Sequence, residues 1–173
     1  VNEPNRELII ATLNKLHRAS GLSLPQTKSL AEQIQEFLER AQSATWPRLL
    51  RDLGLATPLK TLFQCEKNHL TPAFIHNDLN PDNILIADQR VYIIDWTDAG
   101  LGDPFSDISW HAICFPPSMH QTLLGYCFDE IDSMTLSKLT CYYCLRLFRM
   151  AAWGTFQASM IAQDRETRPT ETE

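Results

Sequence analysis

Glycine is scarce in this chain: there are six in 173 residues, scattered so that only Gly100 and Gly102 lie two apart. That scarcity excludes a Gly-rich phosphate loop, and no V-A-I-K-like strand brings a lysine to pair nucleotide phosphates. Long apolar runs are missing as well. No stretch approaches the roughly 20 residues of a membrane span, and no basic-then-apolar segment opens the chain, so neither a membrane span nor a secretory signal is expected. Basic residues number fifteen against twenty-one acidic ones, for a net charge of −6 and a pI near 5.3. Being scattered, they exclude a nucleic-acid surface, which needs clustered Lys and Arg, and leave a neutral or cationic partner as the better fit. The cysteines, at 65, 114, 127, 141 and 144, are odd in number and irregularly spaced. That usage suits free thiols in a reducing cytoplasm rather than a disulfide framework. Cys141 and Cys144 have CxxC spacing, but they sit in the apolar helical stretch CYYCLRLF without a second pair, and read as core thiols rather than zinc or redox ligands.

What is present is enough for one well-buried domain, with 44% hydrophobic residues. The chain opens on Val1, not Met, and enters a helical pattern at once, which suggests a processed or trimmed product. ELIIATLNKLHRA (7–19) spaces Leu8, Ile9, Leu13 and Leu16 as a helix ended by Ser20-Gly21. PQTKSLAEQIQEFLERAQ (25–42) opens on Pro and repeats Leu30, Ile34, Phe37, Leu38 and Ala41 along one face, predicting a longer helix. Residues 46–55 predict a third, short one. The pattern then changes. Ala73-Phe74-Ile75 is too short for a helix, and ILIA (84–87) and VYIID (91–95) flank Asp88-Gln89-Arg90 as a hairpin. TDAGLGDP (97–104) is turn-rich, helices return from about 105, and the last is expected from Leu136 to Ala158. The tail at 166–173 is charged, carries a proline and is expected to be disordered.

Chemistry concentrates in one loop. FIHNDLNPDN (74–83) packs one His, two Asp and three Asn behind a short apolar run. Set against the kinase catalytic-loop pattern H-R-D-L-x-x-x-N, His76-Asn77-Asp78-Leu79-Asn80-Pro81-Asp82-Asn83 matches at His, Asp, Leu and Asn, and Asp95 follows across the hairpin. Phosphoryl transfer asks the protein to hold an acceptor hydroxyl and to place two oxygen ligands on magnesium. Asp78 could accept a hydrogen bond from the hydroxyl, while Asn83 offers magnesium a neutral oxygen and Asp95 a charged one. The hairpin would be the scaffold joining the two ligands, with the strand aiming Asp95.

FIHNDLNPDNILI followed by VYIIDWTDAGLGDPFSDIS resembles the catalytic core of the aminoglycoside phosphotransferase and choline kinase family, whose fold is protein-kinase-like. The resemblance covers residues 74–109, and the flanking helices fall where the family's C-terminal lobe has its own. It implies an α+β, mainly helical fold: a kinase-like C-terminal lobe over 1–165, with a short β-hairpin carrying the catalytic and metal-binding loops. It further implies ATP and Mg²⁺ as cofactors, Asp78 as catalytic base, and Asn83 and Asp95 as metal ligands. In GDPFSD it makes Asp107 a helix-start residue bracing the loop and Asp103 a second structural carboxylate. Asn77 stands where many relatives have Gly; the choline kinase branch often reads HND, which favours small amino alcohols as acceptors. The family's N-terminal ATP-binding lobe has no counterpart here and would precede Val1.

Other readings bear on the same residues. D-x-N-x-D at 78–82 imitates a calcium loop, but Asn83 and Gln89 stand where that loop needs Gly and Glu, and Pro81 intrudes. His76 reads as a structural histidine tying the loop to the core. His17 reads as packed or partly exposed, and His69, His111 and His120 lack ligand spacing. Trp96, Trp110, Trp153, Tyr142 and Tyr143 are core residues or, near an acidic cleft with Asp98, aromatic contacts for a cationic acceptor. The function expected is transfer of the ATP γ-phosphoryl group to a small-molecule hydroxyl, on choline, ethanolamine or an aminoglycoside. The alternative is a kinase-like binding or regulatory module without turnover. Oligomeric state has no signature in the sequence.

Overall fold

The computed structural model describes residues 3–19, 23–41, 45–68, 72–114 and 132–167. Six helices, four short strands and one 3-10 turn occur among them, in the order α1 (Glu3–His17), α2 (Leu30–Arg40), α3 (Thr45–Asp52), α4 (Ala56–Asn68), β1 (Ala73–Ile75), the 3-10 turn (Pro81–Asn83), β2 (Ile84–Ala87), β3 (Arg90–Ile93), β4 (Gly100–Gly102), α5 (Phe105–Cys114) and α6 (Ser133–Thr167). The protein is therefore mainly helical, with two antiparallel pairs, β1 with β4 and β2 with β3. His69, His120 and Cys127 lie outside the described residues.

Two apolar clusters hold these pieces. One joins Leu30 and Ile34 of α2, Leu59 of α4, Phe105 of α5, and Tyr142 and Leu145 of α6. The other joins Ile9, Ile10 and Leu13 of α1 to Leu79, Ile108 and Trp110, with the inward faces of β2 and β3 packed against it. Leu79 is thus the buried plug of the polar loop, 1% exposed. The hairpin pairs Ile84 with Ile93 and Ile86 with Val91 on its inward face, leaving Leu85 and Tyr92 to pair on the outer face, which is open to solvent. Its turn is Asp88-Gln89, both at positive φ (50° and 57°), as a two-residue connection with right-handed strand twist requires. Arg90 belongs to the strand, opposite Ala87.

Four sequence expectations change in the structure. The helix expected from Pro25 begins at Leu30, because Ser29 and Glu32 form a capping box and Glu66 of α4 takes the next two N–H groups, of Leu30 and Ala31, at 2.8 and 3.0 Å. Residues before it run extended beside β4, with Leu101 N–H donating to Pro25 and Thr27 N–H donating to Leu101. α4 has no counterpart among those expectations; Leu59, Leu62, Phe63 and Glu66 repeat at helical spacing, and Pro58 falls in the first turn where it is tolerated. β3 ends at Ile93, short of Asp95, and α6 runs from an Asp132 cap through Thr167, including the start of the expected tail, whose residues 168–173 lie outside the described ones. No helix among the described residues is long and apolar enough to cross a membrane.

The two glycines that lie two apart make β4 possible. A Cβ on Gly100 would come within 2.5 Å of the Pro25 carbonyl oxygen, a backbone atom that cannot swing away. Gly100→Ala is expected to lower stability by about 1–3 kcal/mol through overpacking, read by urea unfolding. An unchanged midpoint would mean that the extended segment is not held against β4.

His111 of α5 is buried, and burial pushes its imidazole down to about 4 despite the upward pull of the Asp107 charge. A base whose folded value lies below its unfolded 6.5 takes up protons mainly on unfolding, so stability falls as pH drops from 6.5 towards 4. Between pH 7 and 4.5 this group alone is expected to cost about 2–3 kcal/mol. Urea unfolding of wild type and His111→Gln at both pH values checks it. An equal loss in both proteins would assign the acid sensitivity elsewhere.

Candidate active site

The polar loop begins where β1 ends and is fixed by Asp107 in the first turn of α5. The Asp107 carboxylate is fully buried and accepts the N–H of His76 at 2.9 Å, the N–H of Asn77 at 2.8 Å and a bond from His17 Nε2 at 3.0 Å. Burial pushes this carboxyl up. The His17 hydrogen bond and charge, with the two backbone N–H groups, outweigh burial and hold it below the usual carboxylate range. Asp103, also buried, accepts the Phe105 N–H at 3.0 Å and pairs with Lys138 at 2.7 Å. Asp107 thus ties α1 and α5 to the loop, and Asp103 ties α6 to the start of α5.

His76 is wholly buried, with Nε2 donating to the Ile94 carbonyl at 2.9 Å, so it links the loop to the strand end across the hairpin. Asn77 has φ 68°, in the left-handed region that Gly and Asn tolerate. Its side chain is 2% exposed and turned inward: Nδ2 donates to the Lys28 carbonyl at 3.1 Å and Oδ1 accepts from Ser106 at 2.8 Å. The residue that tilted the sequence reading towards amino alcohols is therefore occupied in holding the backbone.

Asp78 lies on the wall of a cleft of about 980 Å³ between the loop, the extended segment at 25–28, α2 and α6. One carboxylate oxygen lies 3.3 Å from Arg149 Nη2, the other receives Asn80 Nδ2 at 3.3 Å. Asn83 is buried and donates its amide to the Asp78 carbonyl at 2.9 Å, leaving its own carbonyl oxygen as the group with lone pairs to offer. The Ile94 N–H donates to the Asn83 carbonyl at 3.0 Å, one step past the β2–β3 ladder, which puts Asn83 opposite the residue before Asp95. Asp95 is exposed, stands at φ 58°, and accepts from Thr97 Oγ1 at 2.7 Å. A left-handed, non-glycine residue at a cleft is a local strain of the kind found at functional sites. The strand does not aim Asp95; a bend two residues beyond it does.

An amide oxygen and a carboxylate, with Asp78 and Asp82 on the same loop, form a hard-oxygen donor set suited to magnesium. Among the described residues no three His, Cys, Asp or Glu side chains form a ready-made metal cluster, so the fit rests on Asn83 and Asp95 as a pair with substrate and water completing the shell.

Among the aromatic candidates, Trp153 and Trp110 line the cleft and Trp96 does not. Trp96 stacks on Phe74 at 5.7 Å, meets His76 edge-on at 4.9 Å and donates its indole N–H to Ile93, so it braces the loop from behind. Trp110 is buried, with the Arg146 and Arg149 guanidiniums 4.8 and 5.9 Å from its ring centre. Its face already carries the protein's own cations. Trp153 is 41% exposed and packs against Phe37 at 5.1 Å, and Asp98 lies on the same cleft. Cys141 is buried, Cys65 and Cys144 are half-buried, and Cys114 is exposed.

Sequence reasoning missed Arg149, Gln33, His17 and the Lys28 carbonyl. Arg146 and Arg149 stand three apart on an otherwise apolar helix face, LRLFRMAAW, and that misplaced charge was the available signal.

A loop anchored by a buried carboxylate, followed by a hairpin that joins its last Asn to the residue before an Asp on the same cleft, is the arrangement of kinase-like folds. The chain matches the phosphotransferase enzyme family over residues 6–130, and belongs to it. It is 53% identical over 34 residues to Protein LicA of Haemophilus influenzae, a stretch that is 20% of this chain and 13% of that protein. Among solved structures it is similar to a choline/ethanolamine kinase family protein from Mesorhizobium loti (TM-score 0.72, 20% identity, 98% of this chain and 57% of that one). It is also similar to LicA in complex with AMP (TM-score 0.68, 20% identity, 90% and 54%). The fold is thus that of these kinases, and the chain spans little more than half the length of each.

Proposed function

We propose that the protein containing this chain transfers the γ-phosphoryl group of ATP to a hydroxyl of a small molecule. The observation that carries the reading is that Asp78 and Asp95 line one cleft while Asn83 lies behind Asp78, its amide on the Asp78 carbonyl and its backbone carbonyl accepting the Ile94 N–H. Asp78 would accept the hydrogen bond of the acceptor hydroxyl and align its oxygen with the γ-phosphorus. As the new O–P bond forms and the bond to the ADP oxygen breaks, the hydroxyl proton passes to the Asp78 carboxylate. Asn83 and Asp95 would hold magnesium, which when bound neutralises charge on the phosphates.

The chain lacks a Gly-rich loop and spans about half of its structural relatives, so the remaining phosphate contacts would come from an N-terminal lobe outside residues 1–165. The outer hairpin face, with Leu85, Tyr92, Ile94 and Trp96 exposed, offers that lobe an apolar surface to cover. An amino alcohol of the choline or ethanolamine kind is the first acceptor class, because Asp98 and the open ring of Trp153 share the cleft with Asp78. An aminoglycoside is the second. The expected setting is cytoplasmic.

The test is magnesium-dependent ADP release by the longest natural product that contains this chain, with pooled choline, ethanolamine, aminoglycosides and sugars. Acceptor-stimulated release supports the reading, and splitting the pool names the acceptor. Absence of release from folded protein with every pool supports a kinase-like module without turnover.

A further inference from the structure

The geometry points to Arg149 as the positioning residue of Asp78, with Gln33 fixing Arg149 in turn; the inference rests on the phosphotransfer reading above. Arg149 projects from α6 and is 8% exposed. Its Nε donates to Gln33 Oε1 at 2.7 Å, and its guanidinium lies 5.6 Å from the Phe37 ring centre and 5.9 Å from that of Trp110. From this seat Nη2 reaches Oδ1 of Asp78 at 3.3 Å. Oδ1 is buried and has no aligned hydrogen bond among the described residues, so the charge of Arg149 is the attraction that the structure supplies to that atom.

The arrangement closes on itself. Gln33, itself buried, donates its Nε2 to the Lys28 carbonyl at 3.1 Å, and the same carbonyl accepts from Asn77, the residue before Asp78. The extended segment therefore anchors both the backbone of the loop and, through Gln33 and Arg149, the carboxylate that the loop presents. Asn80, two residues along the same loop, supplies only a 3.3 Å contact to the other oxygen and moves with it. Arg149 is the contact from a different element, able to fix the carboxylate plane relative to the cleft. Such alignment matters for a base that must meet a hydroxyl in line, where displacement of about 1 Å can cost on the order of 10²-fold in rate.

In the longest natural product, Arg149→Met keeps an apolar stem between Phe37 and Trp110 but removes the charge and fork. It is expected to lower kcat about 10²-fold with KM for acceptor and nucleotide within about threefold. Arg149→Lys restores the charge without the second donor for Gln33 and is expected to recover part of the loss. In an Asp78→Asn background Arg149→Met should cost nothing further, because both act through one group. Gln33→Leu, expected to lower kcat by a smaller factor, carries the test if Arg149→Met does not fold. Folded Arg149→Met or Gln33→Leu protein with wild-type kcat, beside an inactive Asp78→Asn, would overturn the positioning role and leave the phosphotransfer reading intact. Losses that add fully in the double variant would overturn it as well. Wild-type turnover by Asp78→Asn would remove Asp78 from the chemistry and overturn the positioning role with it, whereas absence of acceptor-stimulated release from the unsubstituted protein would overturn the phosphotransfer reading itself.

Discussion

Asp78→Asn, made in the longest natural product, is expected to lower acceptor-stimulated ADP release by about 10²–10⁴-fold, the range set by loss of a positioned general base. The substitution is nearly isosteric, and the contacts that fold the loop do not pass through the lost charge. Leu79 plugs the core, the His76 and Asn77 N–H groups bind Asp107, and the Asp78 carbonyl takes the Asn83 amide. Stability should therefore change little, and thermal unfolding of the variant beside wild type separates the two effects. Arg149 would face a neutral amide in place of its ion-pair partner, which is the main structural cost. A variant with normal stability and normal turnover would remove Asp78 from the chemistry.

Asp107→Asn should do the opposite, acting first on stability. The carboxylate gathers two backbone N–H groups and His17 in a fully buried position, and an amide in its place turns an NH₂ towards groups that donate. Breaking a buried, hydrogen-bonded ionic group of this kind is expected to cost about 3–5 kcal/mol, read by urea unfolding at pH 7. The pH dependence has a defined sign. Because the folded carboxyl lies below its ordinary 3.8, its contribution is fully present above that value and is lost as pH falls through the lower, folded value. Acid loss from Asp107 thus lies below that from His111, which begins near 6.5. A cost under about 1 kcal/mol at pH 7 would match a single ordinary hydrogen bond and would contradict the anchoring role.

The parts of the site that were legible in the sequence are the local ones. HNDLNPDN carries its own turn chemistry, and ILIA and VYII carry their own alternation; the connection, expected as Asp88-Gln89-Arg90, is the two-residue turn Asp88-Gln89, with Arg90 already paired to Ala87. What could not be read depends on partners distant in the chain. The helical pattern at 25–42 was real, but its start was decided by Ser29, Glu32 and the remote Glu66, not by Pro25. β4 is three residues long and exists because β1 and the extended segment lie on either side of Gly100 and Gly102. Asn77 illustrates the same limit for function. Its identity suggested a substrate class, whereas its surroundings require a residue tolerant of positive φ with a side chain that bonds inward. Trp96, Trp110 and Trp153 look equivalent in sequence, and only contacts from other elements distinguish a brace, a ring already facing two guanidiniums and an open cleft wall.

In the proposed reaction a phosphoryl group leaves the nucleotide for a hydroxyl held at Asp78. Phosphorus NMR of a reaction holding ATP, magnesium and the acceptor that best stimulates ADP release tests it most directly. A new phosphomonoester resonance on the acceptor is expected, growing one for one with ADP and missing from the Asp78→Asn reaction. Inorganic phosphate as the sole new signal, or an ester that forms equally well with Asp78→Asn, would contradict it.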